Sequence, residues 1–139
     1  MSDRTFGSVL KGIGVWAPTV LLGVLFVLQG LAKFPASSQW PAMFQGWGFP
    51  PGFHLIVGAV ELVGGLLLFV PRFAAYGAAA LGAVMVGACM THLVHGEMPQ
   101  TGFTLVLAAL FFLLARVRWS RRWRRSDSPS LAPSGSTAE

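Results

Sequence analysis

The stretch Gly58-Ala59-Val60-Glu61-Leu62-Val63-Gly64-Gly65 places one carboxylate inside an apolar run, residues 54–70, bounded by Pro50-Pro51 on one side and Pro71-Arg72 on the other. Such a run reads as a helix. If that helix crosses a bilayer, Glu61 lies ~11 Å from its start (~7 residues at ~1.5 Å each), where an unpaired charge costs several kcal/mol. Gly58, Glu61 and Gly65 follow a 3–4 spacing, so the carboxylate shares a face with two glycines that let a neighbouring backbone come close. Glu61 therefore points into a helix bundle, where it needs a partner, a proton or a task.

Composition supports the membrane reading. The chain of 139 residues is 54% hydrophobic and 11% charged, with a mean hydropathy of +0.64, whereas soluble domains carry about 25% charged residues. The net charge of +5 is local, because Arg116, Arg118, Arg121, Arg122, Arg124 and Arg125 account for six of the ten basic residues. Beside an apolar segment, that block reads as a cytoplasmic anchor on anionic lipid and not as a nucleic-acid interface. The single cysteine, Cys89, leaves no dithiol pair for a self-contained disulfide-oxidising enzyme and is expected to be a packing residue.

Working outward from the central run, four spans are predicted at about 14–32, 53–70, 74–94 and 101–117, an all-α antiparallel bundle occupying residues 12–117. Residues 1–11 form a polar, frayed N-terminus, and Pro18 falls in the first turn of the first span. Residues 118–139 form a tail, first basic, then rich in Ser, Pro, Gly and Ala and expected to be disordered. The first run has Arg4 and Lys11 ahead of it but no signal-cleavage site, so it reads as a retained helix. Between the first two spans, Trp40, Phe44, Trp47, Phe49 and Phe53 alternate with Gly and Pro, as in headgroup-level segments. A short interfacial helix, capped by Ser37 or Ser38 and ending near Gln45, is expected there as a lid over the bundle. In the third span, Ala79, Ala83 and Gly87 are predicted to form a close-packing ladder.

With an even number of spans both termini share a side. Arg4, Lys11, Arg72 and the arginine block put that side in the cytoplasm. Lys33 and His95 then lie near the outer boundary, Gln29 and His92 about one turn deeper (~5–6 Å), and Glu61 near the midplane. A lysine stem reaches far enough for a Lys33–Glu61 contact, which would neutralise two charges that are costly alone. Glu61, Lys33 and His92 are the candidate reactive groups, and Gln29, Trp40 and Trp47 the candidate ligand-binding ones. His92 and His95 have a spacing compatible with two metal ligands, but no third ligand is evident, and no metal site is expected.

The runs Gln29-Gly30-Leu31-Ala32-Lys33-Phe34, Gly58 through Gly65, and Thr91-His92-Leu93, in this order and spacing, resemble the DoxX family of small four-helix bacterial membrane proteins. The resemblance implies an inner-membrane location, four spans and a link to redox metabolism, since relatives include a membrane subunit of a thiosulfate:quinone oxidoreductase. It makes a quinone the candidate cofactor and a redox partner protein the candidate associate, with this chain a subunit and not a stand-alone enzyme. The competing expectation is a non-catalytic structural or solute-handling membrane protein whose buried charges only fix helix packing.

Overall fold

The computed structural model describes the backbone of residues 2–126 and the side chains of residues 14–121. It contains five helices, α1 (Ser2–Leu31), α2 (Trp40–Gly46), α3 (Phe53–Phe69), α4 (Ala74–Val94) and α5 (Met98–Ser126), and no strand among the described residues. The reversals fall where the sequence cannot continue a helix. Gly48, Gly52 and Gly96 have φ of 83°, 85° and 74°, the left-handed region that a side chain disfavours. Between α3 and α4 the chain turns through Pro71, with the amide of Ala74 donating to the carbonyl of Val70 at 2.9 Å.

α3 is the hub of the packing. One edge of it meets α1 and the other meets α4, which in turn packs along α5. Both α3 contacts are made by glycines. A Cβ on Gly30 of α1 would lie 2.6 Å from the backbone nitrogen of Leu62 and 2.7 Å from the carbonyl oxygen of Gly58. A Cβ on Gly65 would lie 2.9 Å from the nitrogen of Val27, and one on Gly77 of α4 would lie 2.7 Å from the oxygen of Gly64. Backbones are thus in contact at Gly58 and Gly65, the two glycines of the 3–4 spacing, and also at Gly64. Where lipid tails are as apolar as leucine, such close packing is a main source of attraction between helices.

α1 and α5 close the ring differently, through side chains. Phe26 meets Phe111 edge-on, with centroids 4.9 Å apart, above a core of Leu22, Leu68, Leu81, Met85 and Leu114. Nearer the other end, the Arg118 guanidinium lies 4.7 Å from the Trp16 ring centroid and donates to Oγ1 of Thr19 at 3.0 Å.

Three segments are long and apolar enough to cross a membrane: Gly14–Leu31, Ala74–Val94 and Met98–Arg121. α3, with 17 residues, is apolar but shorter. Their outward faces carry exposed Leu21, Leu28, Ile56, Val63, Met90, Val94, Phe103 and Leu113, an apolar surface far larger than a water-facing domain sustains. This is a multi-pass membrane protein.

Several local expectations are corrected. The apolar span of α1 is Gly14–Leu31, close to the expected 14–32, but the helix that carries it begins at Ser2, so Pro18 stands inside the helix and not in its first turn. α5 runs from Met98 to Ser126, because the Arg/Trp-rich stretch contains no breaker and Trp119 packs edge-on against Tyr76 at 5.9 Å. The cap of α2 is Gln39, which makes no side-chain capping bond. The Ala79-Ala83-Gly87 ladder is exposed, and a Cβ on Gly87 would meet nothing within 4 Å. The close approach on α4 uses Gly77, Ala78, Leu81 and Gly82 instead. The expected disordered tail, residues 127–139, lies outside the described residues, as do the side chains of Arg122, Arg124 and Arg125.

The glycine contacts predict a sign. Gly30→Ala gains about 1 kcal/mol of helix propensity yet drives a methyl into backbone atoms that cannot move aside. A net loss of about 1–3 kcal/mol is expected from overpacking, read as a lower unfolding midpoint in detergent micelles. Gly87→Ala, with open space, should be neutral or stabilising in the same assay.

Candidate functional site

Lys33 lies just beyond the C-terminal end of α1, held there by its amide donating to the carbonyl of Gly30 at 3.2 Å. Its stem crosses α3 at Gly58, where a Cβ would sit 2.9 Å from the Lys33 Cβ and 3.4 Å from its Cδ. The missing side chain at residue 58 is therefore the groove that admits the lysine. Nζ donates to Oε2 of Glu61 at 2.5 Å, with the two side chains 4% and 6% exposed. The same ammonium lies 4.0 Å from the centroid of the Trp40 ring. A buried ammonium thus has a carboxylate on one side and an aromatic face on the other, the two partners that offset its desolvation.

A cavity of about 720 Å³ opens beside this pair. It lies within the size range of small-molecule pockets, ~300–1,000 Å³. All six candidate residues, Gln29, Lys33, Trp40, Trp47, Glu61 and His92, line it. Phe26, Met85 and Leu107 contribute apolar wall from the core side, and Trp40, Phe44 and Trp47 contribute aromatic wall from α2. The Gln29 amide has no hydrogen-bond partner among the described residues, so a polar group stands open in a mostly apolar wall.

The other end of α2 is tied to the turn between α4 and α5. Trp47 packs edge-on against His92 with centroids 5.2 Å apart. His92 donates from Nδ1 to Oε2 of Glu97 at 2.5 Å. The His92 hydrogen bond, helped by a second from the Trp47 side chain, holds the Glu97 carboxyl below its usual range. Between the two ends, Phe44 is buried among Phe49, Phe53 and His54, with ring centroids 5.6–6.2 Å away. Glu97 and His54 were not among the candidates. For Glu97, its place five residues after His92 across a glycine turn was the available signal. His54 stands one residue into α3 and carried no signal of its own.

The remaining sequence candidates separate from the site. His95 donates from Nδ1 to the carbonyl of Thr91 at 2.8 Å, so the two histidines engage different partners. Cys89 donates weakly to the carbonyl of Thr101, 3.6 Å away, a contact between α4 and α5.

The chain belongs to the DoxX-like family, whose pattern it matches over residues 17–114. It is also similar to a protein of Bacillus subtilis (strain 168) named "Putative oxidoreductase CatD", with 33% identity over 57 residues. That match covers 41% of this chain and 42% of the relative, so the chain spans under half the length of the curated protein it resembles. No solved structure matches it.

The pair invites a double-mutant cycle. Lys33→Met alone and Glu61→Leu alone each strand a buried charge and should lose about 3–5 kcal/mol of stability, whereas the double variant should recover most of that loss. Unfolding in micelles reads all three, and additive losses would mean that the side chains are not coupled. At the other end, a depressed carboxyl pKa means that the contribution of Glu97 is present above the usual carboxylate range and lost as pH falls through its folded value. Acidification should therefore loosen Trp47, seen as an acid-side fluorescence transition that His92→Gln shifts toward the ordinary carboxylate range.

Proposed function

We propose that this DoxX-like protein is a quinone-interacting subunit of a redox complex in the bacterial inner membrane, with the cavity beside Lys33 as the seat of the quinone ring. The observation that carries the reading is a buried ammonium bordering a roomy, mostly apolar, aromatic-walled cavity. An ammonium has three N–H donors, and Glu61 takes one of them. The others can reach a quinone oxygen, with the open amide of Gln29 a second donor. Trp40 and Trp47 offer flat faces to a ring. The family's membership and the oxidoreductase name of the Bacillus relative favour redox work over simple packing.

In this reading α3 is a short fourth span, both termini are cytoplasmic, and α2 lies at the outer interface as a lid. The arginine block, residues 116–125, rests on anionic lipid. Reducing a quinone to its quinol takes two electrons and two protons. With one cysteine and no dithiol, the chain leaves the electrons to the redox centre of a partner protein. Its own groups serve the protons: Lys33 donates a hydrogen bond to the oxygen that gains negative charge, Glu61 exchanges protons within the pair, and His92 stands at the outer rim.

A second reading, in which the charges only staple α1 to α3, is favoured by one specific observation: Lys33 and Glu61 already satisfy one another. Binding of a short-chain benzoquinone to the purified protein in nanodiscs, followed by quenching of tryptophan fluorescence, separates the two. Saturable binding is expected, with Lys33→Met in a Glu61→Leu background raising Kd at least tenfold while the protein stays folded. Unchanged affinity in that double variant would leave only the staple.

A further inference from the structure

The cavity's two approaches, from water and from lipid, are closed to different degrees. On the water side α2 is fixed at both ends, by the Lys33 ammonium over Trp40 and by the contacts of Trp47 with His92 and Glu97. Its middle is plugged by Phe44, which is 7% exposed. On the lipid side the wall contains residues that belong to the outer surface. α4 turns Ala78, Leu81 and Met85 inward. Ala83 and Gly87 each lie two residues, ~200° of helical rotation, from Leu81 and Met85, hence on the opposite side of α4.

Ala83 and Gly87 are exposed, yet both line the cavity, as does Val60 of α3, which is 37% exposed. The cavity therefore reaches the outer surface of the bundle along the seam between α3 and α4. The backbones of these helices meet at the Gly64–Gly77 crossing, near the turn at Pro71. Small side chains further along the seam leave a slot. Exposed residues also line the cavity at the opposite seam, between α1 and α5, but two of the four, Gln29 and Gln100, are amides beside Leu25 and Phe103, so that edge suits a polar group, whereas the wholly apolar α3–α4 edge suits a tail.

We infer that the ligand of this cavity is a lipid-dissolved molecule with a flat polar head and an apolar tail, which enters sideways between α3 and α4 past Val60, Ala83 and Gly87, its tail left in that slot. The inference rests on the proposed quinone seat and narrows it, since a water-borne solute would have to pass α2. A head bound near Lys33 lies within the reach of Val60, one residue from Glu61, so the tail needs no other exit. The exposed ladder of small residues, unexplained by helix packing, then has a use: it keeps the slot open.

The slot can be filled without touching the head-group residues. The full-length protein in nanodiscs is compared for two probes, a benzoquinone with a long isoprenoid tail and the same ring with methyl in place of the tail. The Ala83→Leu/Gly87→Leu double variant is expected to weaken binding of the tailed probe at least tenfold and that of the tail-less ring less than twofold. Room exists for the change, because nothing lies within 4 Å of a Cβ on Gly87. Val60→Phe, on the facing wall, should reproduce the effect should the double variant fail to insert. Equal affinity for both probes in every variant, or equal weakening of both, overturns the slot while leaving the quinone seat standing. Failure of the unsubstituted protein to bind either probe overturns the seat and the slot with it.

Discussion

The ion pair between Lys33 and Glu61 is the constraint from which the arrangement follows. Two opposite charges buried at 2.5 Å leave little freedom to the helices that carry them. Lys33 must follow directly on the end of α1 and lie over α3 at a position with no side chain, which Gly58 supplies. α1 and α3 must then approach to backbone contact, which Gly30 and Gly65 permit. Replacing any of these glycines with a larger residue would hold the ammonium away from the carboxylate. Glycine here secures an electrostatic contact as well as packing.

Such a pair is a poor device for stability alone. Desolvating both ions costs several kcal/mol each, and well-packed apolar residues of similar size often stabilise a core as much or more. What an ion pair adds is register, since an apolar contact between α1 and α3 could slide while the pair cannot. It also adds a cation at one fixed point of a cavity wall, with the ring of Trp40 held 4.0 Å above it. The proposed seat for a ring and the lock between helices thus share one atom, Nζ of Lys33.

Much of this was legible in the sequence, because the physics is local. An isolated carboxylate in an apolar run, glycines at 3–4 spacing and a lysine at the end of a neighbouring apolar run each carry their own argument. Gln29 and His92 could be placed beside the pair by comparing depths once the runs were counted, and Trp40 and Trp47 by the aromatic segment's place above the bundle. What was not legible depends on tertiary geometry. Helix ends at Ser2 and Ser126 depend on polar and basic stretches whose helical state periodicity does not decide. The ladder of Ala79, Ala83 and Gly87 has the spacing of a packing face, and spacing does not say which of two faces of α4 is turned inward. Glu97 meets His92 only because the turn at Gly96 folds it back, which spacing alone does not show.

The two readings of the ion pair, staple and seat, differ less than they first seem to. Among its described contacts the Lys33 ammonium spends one N–H on Glu61 and presents its charge to Trp40, so it retains donor capacity toward the cavity. A ligand oxygen can take that capacity without breaking the staple. Moving the ammonium toward such an oxygen, however, would weaken its hold on Trp40 and so on α2, and tightening α2 would pull it back. In the proposed function, occupancy of the cavity and the seating of α2 are therefore linked through one charged group, and the coupling runs equally in both directions.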